Sequence, residues 1–328
     1  MTDPAPENGA RGGYDHDVVI VGGGPAGCSA GVFTAREGLD TLIFDRGRSS
    51  IGRCAHLENY LGFPDGIDIE TLYDLMHEHA ETAGCEIVPD VVESVDQDWV
   101  GGGFVVERGE GERITARRVV AATRYDGSYM RGLDDDAAMF ETYEHDGEEH
   151  ERFDRGYADH DGRTPVDGLY VVSPSEEADT QAIVAAGRGA RVARRVIADA
   201  RIDDGWWEEA ARVFDWTRRE AERDDRWADR EAWVEAFEDR HAEAAPVDPD
   251  SERFRRVSEA AVDDSLSSYV SREEVEARAE AAHETLAAHL DVEAIVRAVD
   301  GTALLDAVDD DLIREHVDGE GTVPEVSD

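Results

Sequence analysis

The sequence predicts an α/β fold, in which a parallel sheet with a small antiparallel sheet is followed by an all-helical C-terminal module. Short β-branched runs alternate with helical segments as far as residue 200, which is typical of a parallel sheet. A glycine-rich turn joins the first strand to the first helix, and beyond residue 200 apolar residues recur at helical spacing only. We therefore expect one domain over residues 13–200 and a helical module over residues 201–318, flanked by a disordered tail (1–12) and a loose tail (319–328).

The N-terminal elements have the order of a dinucleotide-binding unit. Residues 17–21 are a β-branched apolar run, residues 22–27 read GGGPAG, residues 28–36 have a helical pattern, and residues 41–45 form a second strand that ends in an acid. This order is far more specific than the glycine spacing alone, and it predicts a Rossmann-like domain. The alternative is a glycine turn that binds no ligand.

Each glycine of this turn has an expected role. Gly22 makes the tight turn, Gly24 lets the backbone approach a pyrophosphate, and Gly27 lets the helix pack on the strand. The helix N-terminus supplies N–H groups and the positive end of its dipole to the phosphates. Asp45 lies near the offset of roughly twenty residues at which a carboxylate binds the adenosine ribose.

The elements that follow continue the same domain. Residues 46–57 form a loop, residues 58–64 a turn with aromatic residues, and residues 69–83 a helix that Gly84 ends. Residues 134–155 are acidic and unpatterned, and we expect an exposed insert there. The predicted strands are residues 86–88, 91–95, 103–106, 113–116, 118–123 and 168–172, and a helix of small residues is predicted over residues 181–198.

The C-terminal module is predicted from apolar spacing and capping residues. Residues 206–214 place apolar side chains at i, i+4, i+7 and i+8, and residues 227–237 form a second amphipathic stretch. Ser271 begins a capping box, and Asp291 is expected to cap a further helix. The tryptophans are expected in the core, the alternative being a stack against a cofactor. We expect no internal repeat.

The composition indicates a strongly acidic surface. The net charge is −45, and all 33 basic residues are arginine, so that the chain has no lysine. Nucleic acids and anionic membranes would be repelled, and we expect neither as a partner. A solvated acidic surface suited to high salt explains the charge; genomic base composition explains the missing lysine equally well. Neither a Schiff-base lysine nor a Walker-type phosphate lysine is available.

Targeting signals and cysteine spacing bear on the cellular compartment in which the protein is expected. The first twelve residues lack the apolar core of a signal peptide, and no run approaches the roughly 20 apolar residues of a membrane span. Cys28, Cys54 and Cys85 are odd in number and form no CxxC motif, so neither a disulfide framework nor a redox dithiol is expected. We expect a cytoplasmic protein.

Several segments resemble the thioredoxin reductase family of FAD- and pyridine nucleotide-dependent oxidoreductases. VVIVGGGPAGCSAGVFTAREGLDTLIFD is similar to that family's opening, and ENYLGFPDGIDIETLYDLMHEHAETAGCEIV is similar to its ENfPGFpegi block. RRVVAAT resembles the strand that ends in ATG, and GRTPVDGLYVV with TQAIVAAGRGARVARRV resembles the C-terminal FAD block. Together these segments cover most of residues 14–200.

The resemblance implies that the domain binds FAD in an extended conformation. It places the ribose on Asp45, the adenine near Val92 and the isoalloxazine near Asn59. A helix that begins at Gln181 would aim its positive dipole end at the flavin N1 and C2=O, which stabilises the anionic reduced flavin. The cofactor-binding residues that the resemblance implies are Gly22, Gly24, Pro25, Ala26, Gly27, Asp45, Arg46, Asn59, Val92, Thr123, Gln181 and Ala182.

Departures from the family pattern bear on function. The family has a whole NAD(P)H domain between the halves of its FAD domain, whereas only residues 124–161 separate Thr123 from the GRTP segment, too few for such a domain. A second GxGxxG and a CxxC are both absent, so we expect no thioredoxin reduction by that family's mechanism. Arg124 replaces the glycine of ATG, and Ser173-Pro174 replaces the Gly-Asp pair whose Asp holds the ribityl chain. The candidates to replace that Asp are Ser173, Ser175 and Glu176.

Cys54 is the candidate for thiol chemistry beside the flavin. It follows Asp45 much as the first redox cysteine of lipoamide dehydrogenase-like flavoproteins follows its ribose acid, and His56 could favour its thiolate form. The alternative is a buried, inert thiol in a loop. The histidines at positions 145, 150 and 160 lack metal-ligand spacing and are expected in solvent, so no metal site is predicted.

The expected function is that of an FAD-dependent oxidoreductase whose electrons come from a diffusing donor or a partner protein. An alternative is a non-catalytic FAD- or nucleotide-binding protein whose helical module contacts a partner. An NAD-binding protein without flavin is disfavoured by the ENYLGFP and TQAIVAAG segments. We expect the helical module, or a second subunit of a homodimer, to cover the flavin face that the missing domain would otherwise approach.

Overall fold

The computed structural model describes residues 13–47, 49–124, 126–173 and 180–317. The chain divides into two compact units, Met1–Ala277 and Arg278–Asp328. No helix within the described ranges is long and apolar enough to cross a membrane. The predicted tails at residues 1–12 and 319–328, and the candidate residues Ser175 and Glu176, lie outside the described residues.

Strands and helices alternate in the first two hundred residues, and helices predominate afterwards. The strands are β1 (His16–Val21), β2 (Thr41–Phe44), β3 (Glu86–Val88), β4 (Val92–Gln97), β5 (Phe104–Arg108), β6 (Glu112–Ala121), β7 (Phe140–His145), β8 (Glu148–Phe153), β9 (Leu169–Val171), β10 (Arg218–Arg219) and β11 (Tyr269–Val270). The helices are α1 (Pro25–Arg36), α2 (Ile69–Thr82), α3 (Asp136–Met139), α4 (Ala182–Asp203), α5 (Arg230–His241), α6 (Glu252–Ser267), α7 (Arg272–Ala288), α8 (Val292–Ala298), α9 (Gly301–Ala307) and α10 (Asp310–Val317).

Seven strands form the central sheet. β3, β2, β1 and β6 lie side by side in that order, β9 pairs with β6, and these five strands run parallel. β5 pairs antiparallel with the first half of β6, and β4 pairs antiparallel with β5. The parallel sheet with a small antiparallel extension is therefore confirmed. β6 is one continuous strand where the sequence predicted two.

Both faces of the parallel strands are buried, which explains their continuous β-branched composition. Val18 and Ile20 of β1 belong to the core under α1 and α4, and both are fully buried. Val19 and Val21 belong to the core on the opposite face. α1 and α4 also pack against each other, so that one helical layer covers the first face of the sheet.

The acidic insert is folded, so the expectation of an unpatterned connection over residues 134–155 is wrong, whereas the expected exposure holds for most of its residues. α3 and an antiparallel hairpin of β7 and β8 occupy it. At the hairpin turn Asp146 and Gly147 have φ of 54° and 82°, the two positive values of a type I′ turn, for which Asp-Gly is a preferred pair. The strands lack alternation because most of their residues are exposed. Met139 and Phe153 at the two ends are buried against the sheet.

Residues 204–277 form a further layer of the first unit, in which α5 and α6 pack around Trp207. The ring of Trp207 stacks on that of Phe254, with centroids 5.5 Å apart, so core packing of this tryptophan is confirmed. The amphipathic helix predicted over residues 206–214 is absent, because Trp207 is buried in this cluster whereas Val213 is buried in the core of α1 and α4. A short parallel pair, β10 with β11, interrupts the helical region.

The second unit contains a nine-residue repeat, contrary to expectation. Asp291, Asp300 and Asp309 stand nine residues apart, and each accepts backbone N–H bonds from the helix that follows it. The cap predicted at Asp291 is thus the first of three, and the cap predicted at Ser271 is also present (3.1 Å). In each repeat the fifth residue is partly buried and the ninth is valine; these are Ile295, Leu304 and Ile313, followed by Val299, Val308 and Val317.

Candidate dinucleotide-binding site

A cavity of about 700 Å³ lies at the carboxyl ends of the parallel strands. Its walls come from the ends of β1, β2, β6 and β9, from the N-termini of α1 and α4, and from the loop after β2. Ligands of open α/β sheets bind at this edge, where the strand order reverses. The volume lies within the usual range of small-molecule sites, roughly 300–1,000 Å³.

The turn between β1 and α1 requires glycine. Gly22 has a φ of +116°, and a Cβ on it would lie 2.7 Å from the carbonyl oxygen of Ala122. A Cβ on Gly27 would lie 1.8 Å from the carbonyl oxygen of Gly22. Glycine at these two positions therefore lets the first turn of α1 approach the end of β1, which leaves the backbone from Gly22 to Ala26 at the cavity wall.

Two helices direct their N-termini at the cavity without side-chain caps. The N-cap residues Gly24 of α1 and Gln181 of α4 make no side-chain capping hydrogen bond in the described part of the chain. By contrast, the N-cap side chains of α2, α3, α5, α6, α8 and α9 all accept backbone N–H bonds. The N–H groups and positive dipole ends of α1 and α4 thus favour an anionic group in the cavity.

Asp45 follows β2 and is 6% exposed at the cavity wall. Tyr73 of α2 donates a hydrogen bond to its Oδ2, Nε2 of His77 lies 3.2 Å from the same oxygen, and the backbone N–H of Gly47 donates to Oδ1 at 3.0 Å. Burial opposes ionisation of Asp45, but the hydrogen bonds from His77 and Tyr73 outweigh it and hold the pKa of the carboxyl below its ordinary value. Asp45 is therefore ionised at neutral pH.

The hydrogen bond with Asp45 is also the main reason why the pKa of His77 rises to about 10. The ring is consequently cationic at neutral pH, and burial, which favours the neutral form, is too weak to reverse this. Burial and the contact with Asp45 raise the pKa of Tyr73, which stays a hydrogen-bond donor. The negative carboxylate of Asp45 at the cavity wall is thus held in place by the His77 cation and the Tyr73 phenol.

The structure brings most of the residues that the resemblance implied to this cavity. Those that line it are Gly22, Gly24, Pro25, Ala26, Asp45, Arg46, Val92, Thr123, Gln181 and Ala182. Gly27 lies behind the wall, where α1 meets the glycine turn. Asn59 is outside the described lining, but its Nδ2 donates to Oε1 of Gln181 at 2.8 Å and so ties the loop after β2 to the start of α4.

The turn after β6 departs from the glycine pattern. Arg124 has a φ of +62°, in the left-handed region that residues with a Cβ rarely adopt. The hydroxyl of Thr123 beside it donates to the carbonyl oxygen of Asp126 and lies 3.1 Å from the hydroxyl of the buried Tyr129. These contacts hold the turn at the cavity wall, and a glycine at position 124 would adopt it at lower cost.

Two further candidates reach the cavity. Cys54 is exposed and lines it, so the alternative of a buried thiol is wrong. Nε2 of His56 lies 3.1 Å from the carbonyl oxygen of Asp65, which ties that ring to the neighbouring loop. Ser173 is buried and lines the wall after β9. The histidines at positions 145, 150 and 160 are exposed, and the described ranges hold no cluster of three metal-ligating residues.

The residues of the site that sequence reasoning missed include Tyr73, His77 and Arg188. Tyr73 and His77 stand four residues apart on α2, with ring centroids 4.5 Å apart. Arg188 is 8% exposed and lines the cavity from α4. The available signal was the i, i+4 spacing of two polar aromatic residues within a predicted helix.

The layer over residues 204–277 lies at the other end of α1 and α4. Arg36, the last residue of α1, makes a bidentate contact with Asp215 (2.6 and 2.7 Å), and Arg201 near the end of α4 contacts Asp264 at 2.6 Å. Among the described residues, none that lines the cavity follows Arg188. The expectation that the helical module covers the flavin face is therefore wrong for residues 204–277.

Comparison with known proteins finds relatives of the N-terminal part. A thioredoxin reductase of Streptomyces clavuligerus is 42% identical over 83 residues, which are 24% of this chain and 26% of the relative. A thioredoxin reductase of Bacillus subtilis is 36% identical over 110 residues, or 33% of each chain. The matched segments thus span about a quarter to a third of these relatives. The structure of a thioredoxin reductase from Gloeobacter violaceus has a TM-score of 0.47 and 19% identity, over 62% of this chain and 98% of that one.

The matched region contains much of the cavity. The profile of the pyridine nucleotide-disulphide oxidoreductase family matches residues 16–147, from β1 to the turn of the β7–β8 hairpin. The glycine turn and Asp45 both lie within it. Over residues 16–147 the chain therefore matches the pyridine nucleotide-disulphide oxidoreductase family, and its N-terminal part is similar to thioredoxin reductases.

Proposed function

We propose that this protein is an FAD-dependent oxidoreductase that receives electrons from a diffusing donor or a partner protein. The observation that carries the proposal is the meeting, on one cavity, of two helix N-termini without side-chain caps and an ionised carboxylate. A dinucleotide needs both features, because its pyrophosphate is anionic and its ribose offers hydroxyl donors. The resemblance to thioredoxin reductases favours FAD over NAD.

The residues at the cavity fit FAD. The N-terminus of α1 would hold the pyrophosphate and Asp45 the ribose, while the N-terminus of α4 would face the pyrimidine edge of the isoalloxazine. When bound there, FAD would supply a two-electron redox centre. The positive dipole end of α4 would favour the anionic reduced form, and the hydrogen bond between Asn59 and Gln181 would fix that end of the cavity.

Electrons delivered by a nicotinamide domain of the chain itself are not part of the proposal. The described residues between β6 and β9 include α3 and the β7–β8 hairpin, and residues 124–161 are too few for a nucleotide-binding domain. The sequence has one GxGxxG and no CxxC. A donor would therefore reach the flavin from outside the described domain, and Cys54 in the cavity wall is the candidate for thiol chemistry beside it.

Purification in molar salt followed by absorption spectroscopy tests this proposal. We expect yellow protein that releases FAD into the supernatant on heating or acidification, since nothing suggests a covalent attachment. Stoichiometric NAD, or colourless protein that does not take up added FAD, would contradict it.

A second candidate is a non-catalytic FAD- or nucleotide-binding protein that contacts a partner. Exposed apolar residues of the second unit favour it, among them Leu305 (61% exposed) and Leu312 (60% exposed). Reduction of the bound flavin separates the two candidates. An oxidoreductase bleaches with a physiological donor and recovers its colour with an acceptor, whereas a binding protein does neither at a useful rate.

The proposal extends to the setting of the protein. The net charge of −45 supports function at high salt, and the three free cysteines support a reducing, cytoplasmic environment.

A further inference from the structure

Asp45 is held by two side chains of α2 and by one backbone N–H group. Tyr73 donates to Oδ2, and Nε2 of His77 lies 3.2 Å from the same oxygen. The backbone N–H of Gly47 donates to Oδ1 at 3.0 Å. Asp45 also lies directly over the glycine turn, because a Cβ on Gly23 would lie 2.5 Å from the Cβ of Asp45.

His77 joins Asp45 to the glycine turn. Its Nε2 lies 3.1 Å from the carbonyl oxygen of Gly23 and 3.2 Å from Oδ2 of Asp45. Both neighbours are acceptors, so Nε2 must carry the proton and donate to the pair. The thiol of Cys28 donates to the same carbonyl oxygen at 3.1 Å, which fixes the turn from α1 as well.

A carboxylate offers about four acceptor positions, two on each oxygen. Tyr73 and His77 occupy those of Oδ2, and Gly47 occupies one on Oδ1. The described residues leave one position on Oδ1 open. A carboxylate that binds both ribose hydroxyls directly would need two.

We propose that His77 and Tyr73 are positioning residues for the cofactor, which fix the Asp45 carboxylate against the glycine turn and leave it a single open acceptor position for one ribose hydroxyl. This inference rests on the proposed function, because it takes the ligand of the cavity to be an adenine dinucleotide. It adds that only one of the two adenosine ribose hydroxyls is recognised by charge. The groups that face the His77 ring are Asp45 after β2, Tyr73 on α2 and Cys28 on α1.

Binding of ADP, 2′-deoxy-ADP and 3′-deoxy-ADP in molar salt to the full chain, after any bound FAD has been released, tests the single position. A hydrogen bond to a charged acceptor is worth roughly tenfold or more in affinity. We expect one deoxy analogue to bind about tenfold more weakly than ADP and the other to bind as ADP does. Equal losses for both analogues, or none for either, would overturn the inference. If none of the three nucleotides binds, the proposed function fails together with the single acceptor position.

The contacts of His77 and Tyr73 with Asp45, which we call the clamp, are tested without any nucleotide. Replacing His77→Gln identifies the ring signal of His77 in a proton NMR titration of the wild-type protein. We expect that signal to titrate near pH 10 in the wild type and to fall well below this value in Asp45→Asn. A wild-type midpoint near the ordinary value of about 6.5 would overturn the clamp, whatever the nucleotides do.

Three variants separate positioning from general destabilisation. His77→Ala should weaken ADP binding by roughly tenfold, and His77→Gln, which keeps an N–H donor, should recover part of that loss. His79→Gln, two residues along α2 and exposed, is the control on the same helix and should bind ADP like the wild type. If His79→Gln weakens binding as much as His77→Ala does, α2 acts through its stability and the positioning role is wrong.

Discussion

Replacing Arg124→Gly should stabilise the protein, because residue 124 has a φ of +62° at the end of β6. In this left-handed region the Cβ of an L residue crowds the following carbonyl oxygen. Glycine has no Cβ and adopts the region freely. By its resemblance to the thioredoxin reductase family, the chain has Arg124 at the position of the ATG glycine, where the left-handed turn is present without a glycine.

The backbone part of the effect follows from two opposing contributions, and loss of the side-chain interaction of Arg124 subtracts from it. Relief of the left-handed conformation is worth about 1–2 kcal/mol. The greater freedom of glycine in the unfolded chain costs about 0.4–1 kcal/mol. We therefore expect Arg124→Gly to raise the free energy of unfolding by roughly 0.5–1 kcal/mol. Arg124→Ala, which keeps the Cβ and removes the remaining side chain, should not gain this stability.

Urea unfolding at constant molar salt, followed by circular dichroism, measures both variants. A constant salt concentration is needed because the net charge makes stability depend on screening. If Arg124→Gly is less stable than the wild type, the side-chain contacts of Arg124 outweigh the backbone cost. If Arg124→Ala gains as much stability as Arg124→Gly, the gain comes from loss of the guanidinium and not from relief of the left-handed backbone.

Four further predictions concern the site and the charge. Asp45→Ala should weaken FAD binding by about 1.5–3 kcal/mol, measured by equilibrium dialysis, and replacement of the exposed Asp74→Ala is the control. An unchanged dissociation constant would mean that Asp45 does not bind the ribose. The pKa of His77 is raised to about 10, so its contribution to the free energy of unfolding is complete below the unfolded pKa of about 6.5 and is lost as the pH rises through 10. We expect the free energy of unfolding to fall by ~1–2 kcal/mol over this range, a value already reduced for partial exposure of the ring. His77→Gln should abolish this fall. NADH or NADPH should reduce the flavin slowly in stopped-flow experiments, and fast saturable reduction at micromolar nucleotide would refute the absence of a nicotinamide domain. The melting temperature should fall as salt is removed, because the Debye length grows from about 3 Å at 1 M to about 30 Å at 0.01 M, and a salt-independent value would contradict the high-salt interpretation.

The first half of the fold was predictable because its signals are local. The run from Val18 to Val21 is buried on both faces of the sheet, so that its apolar character is continuous. The glycine turn is fixed by backbone geometry within six residues, from Gly22 to Gly27. The position of Asp45 follows from the length of one helix and one strand. These features need no knowledge of distant contacts.

The β7–β8 hairpin was not predicted because its strands face solvent. Their charged residues show no alternation, and the contacts that hold them are long-range, such as Met139 and Phe153 in the sheet core. One local signal was present, the Asp146-Gly147 pair at the turn. Similarly, the repeat of the second unit is marked by aspartates at nine-residue spacing, a period that neither the helical nor the strand pattern reveals.

The contacts of Asp45 could not be predicted for a different reason. Tyr73 and His77 belong to α2, which was predicted correctly, but their partner lies 28 residues away from Tyr73 along the chain. Only the packing of α2 beside α1 and the end of β2 brings these groups together. The sequence thus singled out Asp45 as the proposed ribose acid, and the i, i+4 spacing of Tyr73 and His77 did not by itself indicate that they contact it.

α1 and α4 separate the cavity from the layer over residues 204–277 in the first unit. Their N-termini form the cavity wall, and their C-terminal ends hold residues 204–277 through Arg36 and Arg201. Twelve residues of α1 at 1.5 Å each put about 18 Å between the glycine turn and Arg36. Substitutions more than about 7–10 Å apart usually act independently. Contacts such as that between Arg36 and Asp215 therefore support the stability of the domain, while the proposed affinity of the cavity for a nucleotide would be set at the other end, by the helix N-termini and by the carboxylate that α2 holds in place.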